Sequence, residues 1–184
     1  SGAVSTRVTA FWNTLAHAVT NVTIASTPAQ ITRQRQNTDT VRAGGVEIES
    51  DIRPGHGWTL GLVGTFTDSR FNATPAQPAL QGNRIPQVPR VQLGGNAAYA
   101  SARGFTGSAQ LRVSGSQFDD DLNQFRLGSY GVVDGAVSQS LGHGVQVYGA
   151  IENLLDKDYD VGRTPVRTIG WPRTFRAGVR VFVP

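Results

Sequence analysis

The sequence predicts an all-β chain, an antiparallel transmembrane β-barrel segment of about nine strands belonging to a larger barrel. Three observations predict it. Apolar and polar residues alternate strictly through successive stretches of about ten residues. Short glycine-rich turns take turns with long loops, and aromatic residues gather towards strand ends.

The alternation comes first. Trp58, Leu60, Leu62, Gly64 and Phe66 share one face of a stretch whose other face carries Thr59, Gly61, Val63, Thr65 and Thr67. Phe105, Gly107, Ala109, Leu111 and Val113 alternate with Thr106, Ser108, Gln110, Arg112 and Ser114. Phe175, Ala177, Val179, Val181 and Val183 alternate with Thr174, Arg176, Gly178, Arg180 and Phe182. Successive side chains of a strand point to opposite faces, so each stretch has one apolar and one mostly polar face. The same test places strands at 4–13, 17–25, 40–53, 57–69, 89–101, 104–117, 128–141, 144–154 and 173–183.

The connections follow from these strands. Short ones fall at 13–17, 53–57, 101–104 and 141–144, and long ones at 26–39, 70–88, 117–127 and 155–172. Outer-membrane barrels sort their connections in this way, with short periplasmic turns and long extracellular loops. A soluble sandwich has no reason to do so. Trp12, Trp58, Tyr99 and Phe105 are placed at the short-turn ends, and Phe66, Phe175 and Trp171 towards the long loops, as two interfacial belts would require. The rival reading of these aromatics is a core at the two ends of a soluble barrel.

Cost decides which face meets lipid. Glu47, Glu49 and Asp51 alternate with Val46, Ile48, Ser50 and Ile52, and Gln110, Arg112, Arg176 and Arg180 occupy the polar set of their strands. An arginine or lysine facing lipid at the midplane costs roughly 2–4 kcal/mol, so the polar set faces a watery or protein-filled interior.

Composition closes off other classes. No run approaches the ~20 apolar residues of a membrane-spanning helix. Cysteine is absent, which removes disulfides and thiol chemistry. The net charge of +4 comes from arginines spread along the chain rather than a basic block, which argues against nucleic-acid binding. No Ser-His-Asp order, phosphate loop or catalytic carboxylate pair stands out, so the chain is not predicted to be an enzyme and no cofactor is expected. The start, at Ser1-Gly2-Ala3, lacks a charged segment followed by an apolar one, so a leader is expected to have been removed or to lie upstream.

Five stretches then resemble a known family. Residues 151–159 (IENLLDKDY) resemble the NLfDkdY stretch of TonB-dependent receptors, and 172–181 (PRTFRAGVRV) their closing strand. Gly45-Val46-Glu47-Ile48-Glu49, Tyr130-Gly131-Val132-Val133-Asp134 and Pro86-Gln87-Val88-Pro89-Arg90 resemble three upstream stretches of the same family, in family order. The resemblance implies that residues 1–184 are the last nine strands of a twenty-two-stranded barrel in a Gram-negative outer membrane. The N-terminal plug and the TonB-binding motif would then lie outside this chain. An odd strand number fits a segment, since whole bacterial barrels use even numbers. Such receptors close on an aromatic residue, whereas Val183 holds that place here, with Phe182 on the other face and Pro184 after it.

The implied function is TonB-energised uptake of a scarce nutrient such as a ferric siderophore, cobalamin or a glycan, by a barrel that is monomeric when full length. Its partners would be outer-membrane lipid, the small-molecule ligand, and TonB through the missing N-terminal part. The alternative is a self-contained small outer-membrane barrel with a structural or surface-binding role. The candidate ligand-facing loops carry Arg70, Phe71, Asn72, Gln77, Gln81 and Asn83, and Asp119, Asp120 and Asp121. These loops could equally do no more than close the rim. The three aspartates could help bind a divalent cation, but they lack the alternating spacing of a calcium loop, which favours a solvated loop. His17, His56 and His143 are read as turn residues rather than metal ligands, Arg163 and Arg167 as solvated or anion-facing, and Asn153 and Asp156 as a turn device.

Overall fold

Stretches with one apolar face have nothing to pack on in a single layer, so their backbones must pair edge to edge. In the computed structural model, which describes residues 3–27, 30–38, 40–72 and 77–182, they do so. The strands are β1 (Ala3–Ala16), β2 (Val19–Ser26), β3 (Ile31–Asn37), β4 (Thr40–Gly55), β5 (Trp58–Phe71), β6 (Val91–Ala100), β7 (Phe105–Ser114), β8 (Gln117–Phe118), β9 (Arg126–Leu127), β10 (Tyr130–Gly142), β11 (Val145–Glu152), β12 (Asp160–Gly162), β13 (Thr168–Ile169) and β14 (Thr174–Val181). Eight of them form one antiparallel wall in the order β1-β4-β5-β6-β7-β10-β11-β14. The wall is open: β1 and β14 are its two edges and do not pair with each other.

The register keeps the two faces apart across the wall. Leu62 lies opposite Gly95, Gly95 opposite Leu111, and Leu111 opposite Val133. On this face Leu62 remains 58% and Val179 65% exposed, so the apolar side chains are not packed into a dry centre. Polar groups that fall on it bond to each other, as Thr6 and Ser50 do at 2.9 Å. The opposite face carries the ion pairs Arg7–Glu49 at 3.5 Å, Arg112–Asp134 at 2.9 Å and Arg176–Glu152 at 3.0 Å. At the short-turn end Trp58, Tyr99 and Phe105 run in a row, with ring centroids 5.1 and 6.3 Å apart. Two of the tight turns are Gly-His-Gly, with positive φ at all three of Gly55, His56 and Gly57 and again at Gly142, His143 and Gly144. At Gly57 a Cβ would also run into the carbonyl of Ala100, so only glycine fits.

The first two predicted strands are corrected. The wall has eight strands, not nine. β1 does not turn back at 13–17 but continues to Ala16 and pairs with β4 along its whole length, Ala3 opposite Arg53 and Ala16 opposite Thr40. β2 pairs only with β3, within the stretch 26–39 read as a loop, and the two make a hairpin standing apart from the wall. The first long connection therefore runs from 17 to 39. Long and short connections still alternate strictly, and the wall's strand number is even where an odd one was expected. Trp12 moves with β1. It lies opposite Gly44 at the long-loop end, in the belt of Phe66 rather than that of Trp58. His17, with φ 54°, stands on the rim opposite His56 and His143, so the three cannot share a ligand. Phe182 lies beside Arg180, whose guanidinium is 6.0 Å from its ring, while Val183 and Pro184 lie outside the described residues.

About 9–11 residues suffice for a tilted membrane strand. β4 has 16 and β5 has 14, so these strands overrun at the loop side. There they meet the hydrophobic core of the described residues, a cluster of Val22, Phe71 and Leu80 with Val41, Ile85 and Leu122 against it. The buried apolar cluster sits at the loop end of the wall, where Phe71 closes β5.

Candidate functional site: the loop layer

Loops form a packed layer only if their backbone polar groups find partners. The acidic triplet supplies them. Oδ2 of Asp119 accepts the N–H groups of Arg163 (2.8 Å) and Thr164 (2.7 Å) and the Thr164 hydroxyl (2.7 Å), and its Oδ1 accepts Nε2 of Gln87 (2.9 Å). Burial works against its charge, yet the hydrogen bonds from Gln87, Arg163 and Thr164 outweigh it and hold the carboxyl below its ordinary value. Asp120 closes its own turn by accepting from the N–H groups of Gln124 (3.0 Å) and Phe125 (2.7 Å). Asp121 reaches the hairpin, accepting from Thr23 N–H (2.8 Å) and hydroxyl (2.6 Å).

These three aspartates are buried, at 5%, 3% and 1% exposure, which corrects their reading as a solvated loop. Their oxygens are taken up by N–H and O–H donors, and no group of three or more His, Cys, Asp or Glu suited to a metal occurs among the described residues. The cation reading falls with it. The triplet is a clasp that joins the hairpin, the β5–β6 loop, the β7–β10 loop and the β11–β14 loop.

The other candidate residues scatter by role. Phe71 is buried against Val22 and Leu80 in the loop core. Arg70 donates to Asp68 (2.9 Å) and to the carbonyl of Gly82 (2.9 Å), and the Asn72 N–H donates to Thr40. Asn83 donates to the carbonyls of Ala79 (3.1 Å) and Asp121 (3.0 Å), and Gln77 to Gln36 (2.8 Å). Gln81 is exposed, as is Arg163, and Arg167 pairs with Asp160 at 2.7 Å.

What sequence reasoning missed is the hairpin. Thr20, Asn21 and Arg33 of β2 and β3 join Pro86, Gln87 and the aspartates around a polar cleft of about 210 Å³. Arg33 donates to the Thr164 hydroxyl (2.7 Å), while its Nε has no hydrogen-bond partner there. The faint signal was the alternation of Ile31-Thr32-Arg33-Gln34-Arg35-Gln36, polar on both faces and therefore not read as a strand.

The C-terminal motifs interlock as a turn device, as expected of Asn153 and Asp156. Both have positive φ, at 50° and 51°. The Asn153 amide donates to the carbonyls of Lys157 and Trp171, each at 3.0 Å, and its Oδ1 accepts the Lys157 N–H at 2.9 Å. Asp156 accepts the N–H of Arg173 (3.1 Å) and pairs with its guanidinium (3.2 Å). Tyr159 lies flat on Gly170, where a Cβ would strike the ring, and stacks on Tyr130 at 4.2 Å.

A family model described as "TonB dependent receptor-like, beta-barrel" matches residues 1–154. The ferrichrome outer membrane transporter/phage receptor of Escherichia coli K12 is 32% identical over 129 residues, 65% of this chain and 17% of that protein. The pesticin receptor of Yersinia enterocolitica is 27% identical over 147 residues, 76% of this chain and 22% of that protein. Among solved structures, the siderophore receptor PiuA from Acinetobacter baumannii is similar over 97% of this chain and 26% of its own, with TM-score 0.77 at 17% identity. The ferric yersiniabactin uptake receptor FyuA from Yersinia pestis is similar over 98% and 35%, with TM-score 0.71 at 18% identity. The chain spans about a fifth of the length of the curated relatives it matches.

Proposed function

The chain belongs to the TonB-dependent receptor β-barrel family, and from that premise we propose that the whole protein imports a ferric siderophore with energy supplied through TonB. It is an outer-membrane protein, in a family of receptors and transporters rather than enzymes. The wall's apolar face meets lipid and its charged face lines the interior. A plug and a TonB-contacting motif belong to parts of the protein outside residues 1–184, and the complete barrel works as a monomer.

The observation that carries the reading is the loop layer, four long connections clasped together over the rim opposite the tight turns, with a polar cleft among them. At about 210 Å³ the cleft is smaller than the roughly 300–1,000 Å³ of ordinary small-molecule sites, so this segment supplies one side of a larger mouth. Gln81, Arg70, Asn72 and Asn83 sit on or near the surface of the same layer, whereas Phe71 and the aspartates hold it together. A ferric siderophore is favoured over cobalamin because the named relatives and fold neighbours above include a ferrichrome transporter and siderophore receptors.

Iron accumulation in cells is the test. Cells producing the full-length protein in a background lacking other siderophore receptors are expected to take up labelled iron from at least one ferric siderophore, and to lose that uptake when TonB is removed. Cobalamin or oligosaccharide uptake that depends on the protein, with no effect on any ferric siderophore, would overturn the choice of substrate.

A further inference from the structure

The apolar band on the lipid side of the wall ends abruptly at the loop side. Val46 lies opposite Phe66, and Phe66 opposite Val91. Two residues further along the same face Gly44 meets Asp68, and two further again Arg42 lies directly opposite Arg70. Trp12 lies across Gly44, where its ring fills the place of a Cβ. Like charges opposed on one face of an antiparallel pair are destabilising. This pair stands where the strands leave the aromatic belt.

The charges around it are not balanced. Asp68 serves both Arg70 and Arg90, at 2.9 Å each, and a backbone β-bridge sets Arg84 beside Arg70. Arg84 is pushed below its ordinary value, first by burial and then by the guanidinium of Arg90, against the opposite pull of Asp68. On the lumen face, by contrast, Arg7, Arg112 and Arg176 each have their own carboxylate. A groove of about 430 Å³ opens at the cationic corner, lined by the apolar Trp12, Val46 and Phe66, by Arg42 and Arg70, and by Asp68, whose single charge is already shared between Arg70 and Arg90.

We propose that this corner seats a net-anionic, phosphate-bearing lipid of the outer leaflet, its phosphate between Arg42 and Arg70 and its acyl chains on Trp12, Val46 and Phe66. Headgroups lie at the level of the interfacial aromatics, and the acyl region begins directly below. Guanidinium forks suit phosphate oxygens, and an anion between the two arginines removes their repulsion. A soluble anion would have no use for the apolar floor. The lipid does.

The full-length receptor, reconstituted in nanodiscs of phosphatidylcholine and phosphatidic acid with the same acyl chains and then extracted in excess detergent, tests this. Retained lipid is counted by native mass spectrometry. The wild type is expected to keep phosphatidic acid in preference to phosphatidylcholine. Arg42→Gln and Arg70→Gln should each lower that preference by roughly fivefold, the effect of one interfacial cation. Arg42→Lys, which keeps the charge, and Arg7→Gln, on the lumen face, should retain most of it, and heat-modifiable migration checks that every variant is folded. Equal retention of the two lipids by the wild type overturns the proposal whatever the variants do. So does a preference that survives both glutamine substitutions, or one that inorganic phosphate in the wash abolishes, which would mark a site for a soluble anion.

Discussion

Asp119 shows how much one carboxylate can organise. It accepts four hydrogen bonds from two other loops, and bonds to a charged acceptor are worth about 1.5–3 kcal/mol each at most. Asp119→Ala is expected to free the 163–164 segment without disturbing the wall, seen as faster amide hydrogen exchange at Arg163 and Thr164 with heat-modifiable migration unchanged. Its pH dependence has a definite sign. Because the folded carboxyl titrates below its ordinary value, its stabilisation is complete above about pH 4 and fades only as pH falls through the depressed value. Exchange at the two amides, corrected for its intrinsic rate, should therefore stay slow in mild acid and rise only in strong acid. Slow exchange in the alanine variant would count against the clasp. None of this was legible in the sequence. Three adjacent aspartates read as solvent-facing, and the donors that bury Asp119 and Asp121 lie 44 and 98 residues away.

Strands were far more legible than single side chains, because alternation with period two is a local signal. Seven of the wall strands stand where the pattern placed them, and the registers put Leu111 and Arg112 on opposite faces as expected. The failure at β1 and β2 has a physical reason. Alternation says that a strand has two faces, but not which strand it pairs with. The polar stretch around Asn13 and Thr14 imitated a turn, while pairing with β4 carried β1 on to Ala16. Substitutions test the faces directly. Leu111→Arg puts a charge into the acyl region and should impair assembly by roughly 2–4 kcal/mol, whereas Ser108→Arg on the lumen face should be much milder. Urea titration of the full-length protein folded into detergent or vesicles measures both, and equal damage would defeat the assignment.

The molecule as a whole is an open wall with a roof. The eight strands end at two unpaired edges, β1 and β14, and an exposed edge is a template for further pairing. Residues 1–184 produced alone are expected to associate edge to edge and to give no discrete heat-modifiable monomer, while the full-length protein does. A sharp monomer band from the piece alone would contradict the open wall. At this scale the sorting of long and short connections could be read from the sequence, and so could the family. The roof could not, because its core brings Val22 of the hairpin against Phe71 at the end of β5 and Leu80 in the connection after it, residues up to 58 positions apart in sequence. The shared anchors of that roof bear on how such a mouth can change. Where Asp119 grips two connections and Asp121 a third, no connection is an independent module. Transplanting one from a relative would unseat its neighbours far from the graft junction. New selectivity at this rim would have to be inherited, or engineered, as a matched set of four.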